Sequence, residues 1–282
     1  MLHKKSFALM CAVGLATLAL GMSQAQAAGN VVASVNQGVL HVTGDGSDNS
    51  IVMDPAMDGL NVIPSVFVLS SGDGTTTING VLTPYTTATV NKEVLIDLGE
   101  GADDLAMNNV TITRMCRITT GNGDSSVTMD NVVMNKQVRL TMGDGNNVVD
   151  INNTDISEPS KIITGNGPDS ITFSDVEFRG GITTKQGDDT LVIDGSHHVD
   201  PRGKLAIKTA NGLDNVTFTN ASWQGKVLIN TGHDDDTVTA GNIHVGVFAK
   251  ITGSADTDTL TNNGGHDCLN PGCPSPEFLA FP

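Results

Sequence analysis

Apolar residues in this chain come in short alternating runs. Val127 and Met129, Val149 and Ile151, Ile171 and Phe173, and Val216 and Phe218 each stand two apart. Such alternation puts one set of side chains on one face of a strand and their neighbours on the other. A second pair follows a few residues later, as Val132 and Met134 or Val176 and Phe178. A third closes the unit, as Val138 and Leu140, Leu205 and Ile207, or Val227 and Ile229. Cys116 and Ile118 fall in that third position, so Cys116 is expected inside as a small hydrophobe. The pattern predicts three short strands per unit.

Gly-rich tetrads separate the units and keep a fixed period. "LGEG" begins at Leu98, "TGNG" at Thr120, "MGDG" at Met142 and "TGNG" at Thr164, in steps of 22 residues. Looser copies at Thr184, Thr209, Thr231 and Thr252 bring the array to about eight units. "TGDG" at Thr43 and "SGDG" at Ser71 stand further apart, which reads as insertions in the first coils. A fixed period of this size is the mark of a repeat architecture. Three strands and a tight turn make one rung of a parallel β-helix, and rungs stack about 4.8 Å apart. One rung cannot bury its apolar side alone; stacking makes the core continuous. Gly, Asn and Asp suit a chain that turns sharply at the same corner of every rung. An antiparallel sandwich is the competing architecture, but its strands would not share one pattern in phase.

The expected fold is therefore all-β, a right-handed parallel β-helix of about eight 22-residue rungs over 98–263. The hand follows the general crossover preference. Residues 28–97 read as an N-terminal β cap with irregular first coils, and 264–282 as a Pro-rich cap or tail. Caps are needed because end rungs expose unpaired strand edges.

Residues 1–27 read as a signal peptide. Lys4 and Lys5 precede a short apolar core, and "AQA" at Ala25–Ala27 fits a cleavage site. The expected localisation is secreted or cell-surface, with no membrane insertion. Composition sharpens this. The formal charge is −16, and −18 once Lys4 and Lys5 are removed. That excludes nucleic acid as the natural partner, since phosphates demand a basic surface. It leaves a polysaccharide or cell-surface partner open. Cys268 and Cys273 could close a small loop in an oxidising compartment.

The turns "GEGADDL", "GDGNNVV" and "GNGPDSI" resemble the G-x-G-x-D-x-apolar half of the RTX, haemolysin-type repeat found in secreted bacterial β-helix proteins. The resemblance implies calcium held by oxygen ligands at stacked corners. The candidate ligands are Asp103, Asp144, Asp169, Asp188, Asp189, Asp214, Asp235 and Asp236. The same residue types also build tight turns without any metal. This chain departs from the family pattern, with one Gly-rich turn per 22 residues and usually no leading Gly-Gly.

Some pectin-cleaving β-helix hydrolases combine N-T-D, D-D and a His segment. This chain has "NTD" at Asn153–Asp155, "GDD" at Gly187–Asp189 and "HH" at His197–His198. Their spacing places Asp155 midway round a rung and Asp188 and Asp189 at a corner, while the histidines read as loop surface. No catalytic residue is assigned on that basis. The expectation is an exported, non-catalytic protein with a structural, adhesive or binding role. The alternative is a carbohydrate-active enzyme, a hydrolase or lyase, on the same scaffold. A Thr file on the first strand (Thr128, Thr172, Thr217, Thr239 and Thr261) is explained by β-propensity.

Overall fold

A computed structural model describes residues 29–264 apart from Ala255, together with the backbone of the strand Asp267–Cys268. The expected signal peptide, the Cys268–Cys273 pairing and most of the Pro-rich tail lie outside the described residues. All regular structure in the described residues is β, and the strands join through one continuous set of pairings.

The architecture is a parallel β-solenoid of about eight turns. Each rung contributes to three faces. On the first face Asp104–Asn108, Ser126–Asp130, Val148–Asn152 and Ser170–Ser174 pair in parallel, in register, one above the next. The second face stacks Ile112, Met134, Ile156 and Phe178. The third stacks Val94, Cys116 and Val138, then Leu140 on Ile162. Most alternate residues identified in the sequence point inward and are fully buried, Cys116 among them. Burying one Val, Ile or Phe contributes about 1.5–3 kcal/mol, and here each sits on its counterpart in the next rung.

Rung length is not uniform. The steps between equivalent residues are 22, then 20 from Asp169 to Asp189 and 25 from Asp189 to Asp214. Aromatics fill the interior of the two rungs that flank the longest one. Phe173 meets Phe178 edge-on at 5.2 Å, and Trp223 lies 5.3 Å from Phe218 and donates its indole N–H to the Phe178 carbonyl. Trp223 is thus a core residue.

The N-terminal coil differs. Val39–Thr43 pairs in parallel with Val94–Asp97, 54 residues on, and Ser50–Met53 with Asp104–Met107. Between them the chain leaves as Asn61–Ser71, antiparallel to Ser50–Asp58. Asn30–Asn36 folds antiparallel onto Val39–Thr43. Both antiparallel strands cover edges that would otherwise be unpaired. Three corner assignments therefore need correcting. "SGDG" at Ser71 falls within the excursion and opens no coil; Tyr85–Thr86 then pairs antiparallel with Asn61–Ser71 before the chain rejoins the rungs at Val94. Thr43 pairs with Asp97 rather than Leu98, and Thr252 with Asn230 rather than Thr231. The Gly and Asp repeat alone cannot fix register to one residue; the flanking strands do.

Candidate functional site

The corner joining the third face to the first carries the Gly-rich tetrads. Two different constraints select glycine there. A Cβ on Gly143 would overlap the backbone carbonyl of Gly121 in the rung before. Gly145 adds a positive φ of 139°, which L side chains avoid, to the same kind of overlap with Gly123. Successive corners therefore nest backbone on backbone.

Side chains on the two sides of this corner form axial files. On the outside the third and fifth corner positions accept from the rung that follows, while between them Asp234 and Asp256 accept from Gly212 N–H and Asp234 N–H of the rung before. Asn122 N–H donates to Glu100 (3.1 Å), Asp144 N–H to Asn122 (2.9 Å) and Asn166 N–H to Asp144 (2.9 Å). Asp188 and Asp235 likewise accept from Leu213 and Thr257 N–H. On the inside each carboxyl accepts from the rung before. Asn49 N–H donates to Asp103, Asn147 to Asp169, Asp169 to Asp189, Asp189 to Asp214 and Asp214 to Asp236, all at 2.8–2.9 Å.

The inner file is buried: Asp103, Asp169, Asp189, Asp214 and Asp236 are at most 2% exposed. One oxygen of each carboxyl accepts a hydrogen bond and the other, Oδ2, has no partner. Burial raises their pKa values, Asp103 to about 6, Asp189 to about 7 and Asp236 to about 6, with Asp169 and Asp214 also raised. Neighbouring carboxyls one strand spacing away push Asp189 and Asp236 the same way. Thr184 lies beside Asp189 and lowers its pKa, yet Thr184 Oγ1 and Asp189 Oδ2 are both unpartnered. The outer Asp144 goes the other way, because Asn166 N–H and side chain hold its anion.

The eight carboxylates named as calcium ligands are therefore divided. Asp103, Asp169, Asp189, Asp214 and Asp236 face the interior, and Asp144, Asp188 and Asp235 face solvent. Among the described residues no group of three or more His, Cys, Asp or Glu side chains converges on a common point. Calcium takes six to eight oxygens, whereas these corners already close through backbone hydrogen bonds.

The pectinase-like triplets separate as well. Asp188 and Asp189 sit at the Gly corner. Asp155 lies on the second face, where it pairs with Glu177, which pairs with His197. Asp155 is raised in pKa by burial and then by Glu177. The sequence reading missed Glu177, the residue that links the other two. It also misplaced His198, which is a core residue, 2% exposed, on the second-face strand. His198 Nδ1 lies 3.5 Å from Glu177, and burial lowers its pKa. Gly203 makes room for the ring, since a Cβ there would overlap it.

Two further files were missed although their signal is periodic. Asn109, Asn131, Asn153, Asn220 and Asn242 all adopt φ near +50° at the corner between first and second faces. Their amides bond rung to rung, Asn131 to Asn109 at 2.7 Å and Asn242 to Asn220 at 2.9 Å. Arg117, Arg139 and Lys161 also recur at 22 residues and share one outward column of the third face. The Thr file on the first face is in register, interrupted by Asp150 and Val192.

No family model, no curated protein and no solved structure matches the chain.

Proposed function

We propose that this chain is an exported, non-catalytic solenoid with a structural or adhesive role, a rod that offers level faces to a polysaccharide or another cell-surface partner. One observation carries the reading. The polar residues of the corners run in axial files bonded to the backbone of adjoining rungs, so their chemistry is used in building the rod. The Asp of the RTX-like turn serves, in this reading, as an inward acceptor. The signal-peptide-like segment before Ala28 favours export. The test is retention of the mature chain on a panel of immobilised polysaccharides, with reducing ends and unsaturated products measured alongside. Retention without turnover is expected. Turnover that follows the protein through purification overturns the reading.

A second reading, a carbohydrate-active enzyme, is favoured by the adjoining carboxylates Asp155 and Glu177. Closely spaced carboxyl groups are the usual equipment for cleaving glycosidic bonds. Under that reading Asp155→Asn and Glu177→Gln each abolish product in the same screen.

A further inference from the structure

The chain is acidic, yet its cations are gathered on one side. Of its 15 Lys and Arg residues, two (Lys4 and Lys5) precede the described region. Every other one except Lys185 lies on the third face or on the edge leading into it. The first-face and second-face strands of the regular rungs carry none before they merge into the third. Arg117, Arg139 and Lys161 stand exposed on three successive rungs, and none has an ion-pair partner among the described residues. Like charges one strand spacing apart repel. An anion lying along the column removes that cost.

The column then runs into a hollow. Lys161 pairs with Gly181 and Gly181 with Ala206, so two rungs lack a long outward side chain. The hollow measures about 360 Å³ and is lined by Arg179, Arg202, Lys204, Pro159 and Gly180 beside Gly181. The backbone requires glycine at 180, where φ is 140° and a Cβ would overlap Ser160. It does not require glycine at 181, where a Cβ would meet nothing nearer than the Ala206 carbonyl at 3.8 Å. Gly181 leaves the floor open without a packing reason. Two acids sit at the rim: Arg179 reaches Glu158 at 3.0 Å and Asp200 at 3.4 Å, and Arg202 reaches Asp200 at 3.2 Å. Glu158 also lies 3.7 Å from Lys136. The buried Arg179 Nε has no partner. Cations remain in excess around the hollow.

We infer that the third face binds a linear polysaccharide bearing a carboxylate on each sugar, laid along the rod axis from Arg117 into the hollow at Gly181. The inference deepens the binding role proposed above and rests on it. Rungs repeat at about 4.8 Å, close to the advance of one sugar in an extended chain, so charges on the two can stay in step. A single polysaccharide strand is narrow enough to touch this face alone. A second copy of the rod, or a nucleic-acid duplex, would bring its charge within about a Debye length, ~10 Å, of the acidic flanks.

The test uses the mature chain with polygalacturonate and with a neutral glucan of similar length, at low and high salt. Polygalacturonate is retained, and retention weakens with salt; the glucan is not retained. The triple variant R117Q/R139Q/K161Q loses roughly tenfold or more in affinity, ~1.4 kcal/mol. Gly181→Trp, which fills the hollow, weakens binding with all charges in place. Lys185→Gln, off the face, leaves it unchanged. Melting curves confirm that each variant folds. Absence of binding at low salt, or undiminished binding by both face variants, overturns the inference. Retention of the neutral glucan alone also overturns it and leaves the broader binding role standing. Self-association in sedimentation that the triple variant dissolves, without glycan, assigns the face to a second copy instead.

Discussion

The two sides of the Gly corner make opposite use of the same residue types. Outside, Asp144 accepts from the following rung in water, and its anion is favoured. Inside, Asp189 accepts from the preceding rung with one oxygen and leaves the other unpartnered, and its neutral acid is favoured. Burial, not residue identity, sets the difference. A carboxylate stripped of water without a cation beside it holds its proton.

The largest expected effect removes the corner that both files share. Gly145→Val combines a forbidden φ with backbone overlap and should cost about 3 kcal/mol, a fall in Tm on the order of 10 °C. Gly46→Ala, where nothing lies within 4 Å of the new Cβ and φ is ordinary, should leave the melting curve in place.

Next comes a direct contrast between the files. Asp189→Ala strands the buried Asp169 N–H and should cost about 1–3 kcal/mol. Asp144→Ala leaves Asn166 N–H to water, where the bond already lies exposed, and should move the denaturation midpoint far less. Equal losses in chemical denaturation would erase the distinction.

A smaller effect separates the files by pH. Inner pKa values are raised on folding, from 3.8 to about 6 for Asp103 and about 7 for Asp189. The folded state therefore binds more protons than the unfolded one between these limits. The inner file's contribution is fully present below about pH 4 and is lost as pH rises through 6 to 7. Asp144, with a lowered pKa, contributes above its unfolded value and is lost under more acidic conditions. Tm should thus fall by a few degrees from pH 5 to pH 8, and Asp189→Asn should flatten the slope. A Tm that rises over that range contradicts the protonated inner file.

The smallest expected effect concerns calcium. Because Asp144, Asp188 and Asp235 already accept backbone N–H groups, added calcium or a chelator should leave the midpoint unchanged. A shift of several degrees would reinstate the metal at the outer file.

Much of this fold was legible in the sequence because the period and the alternation agree. Val127, Val149 and Ile171 recur at 22 residues and stack one on another. The tetrads revealed the corner but not its two sides, since an Asp reads the same whether it faces core or solvent. Only the strand that follows fixes which way Asp189 points. His198 looked like loop surface because its rung is enlarged, yet Gly203 opens an interior place for it. Arg117, Arg139 and Lys161 carried the same period as the glycines, but cations have no turn preference to draw attention to them. They acquire meaning only once the rungs are superposed.

The long detour of the first coil has a consequence for order of assembly. Its strands must find partners 54 positions away, whereas Asn147 and its neighbours close over 22. Closing a longer loop costs more chain entropy before any contact repays it. The regular rungs are thus the natural nucleus, and the amino-terminal hairpins dock late onto a template that already exists. Amide exchange should accordingly be fastest in Asn61–Ser71 and slowest around Met129 and Ile151.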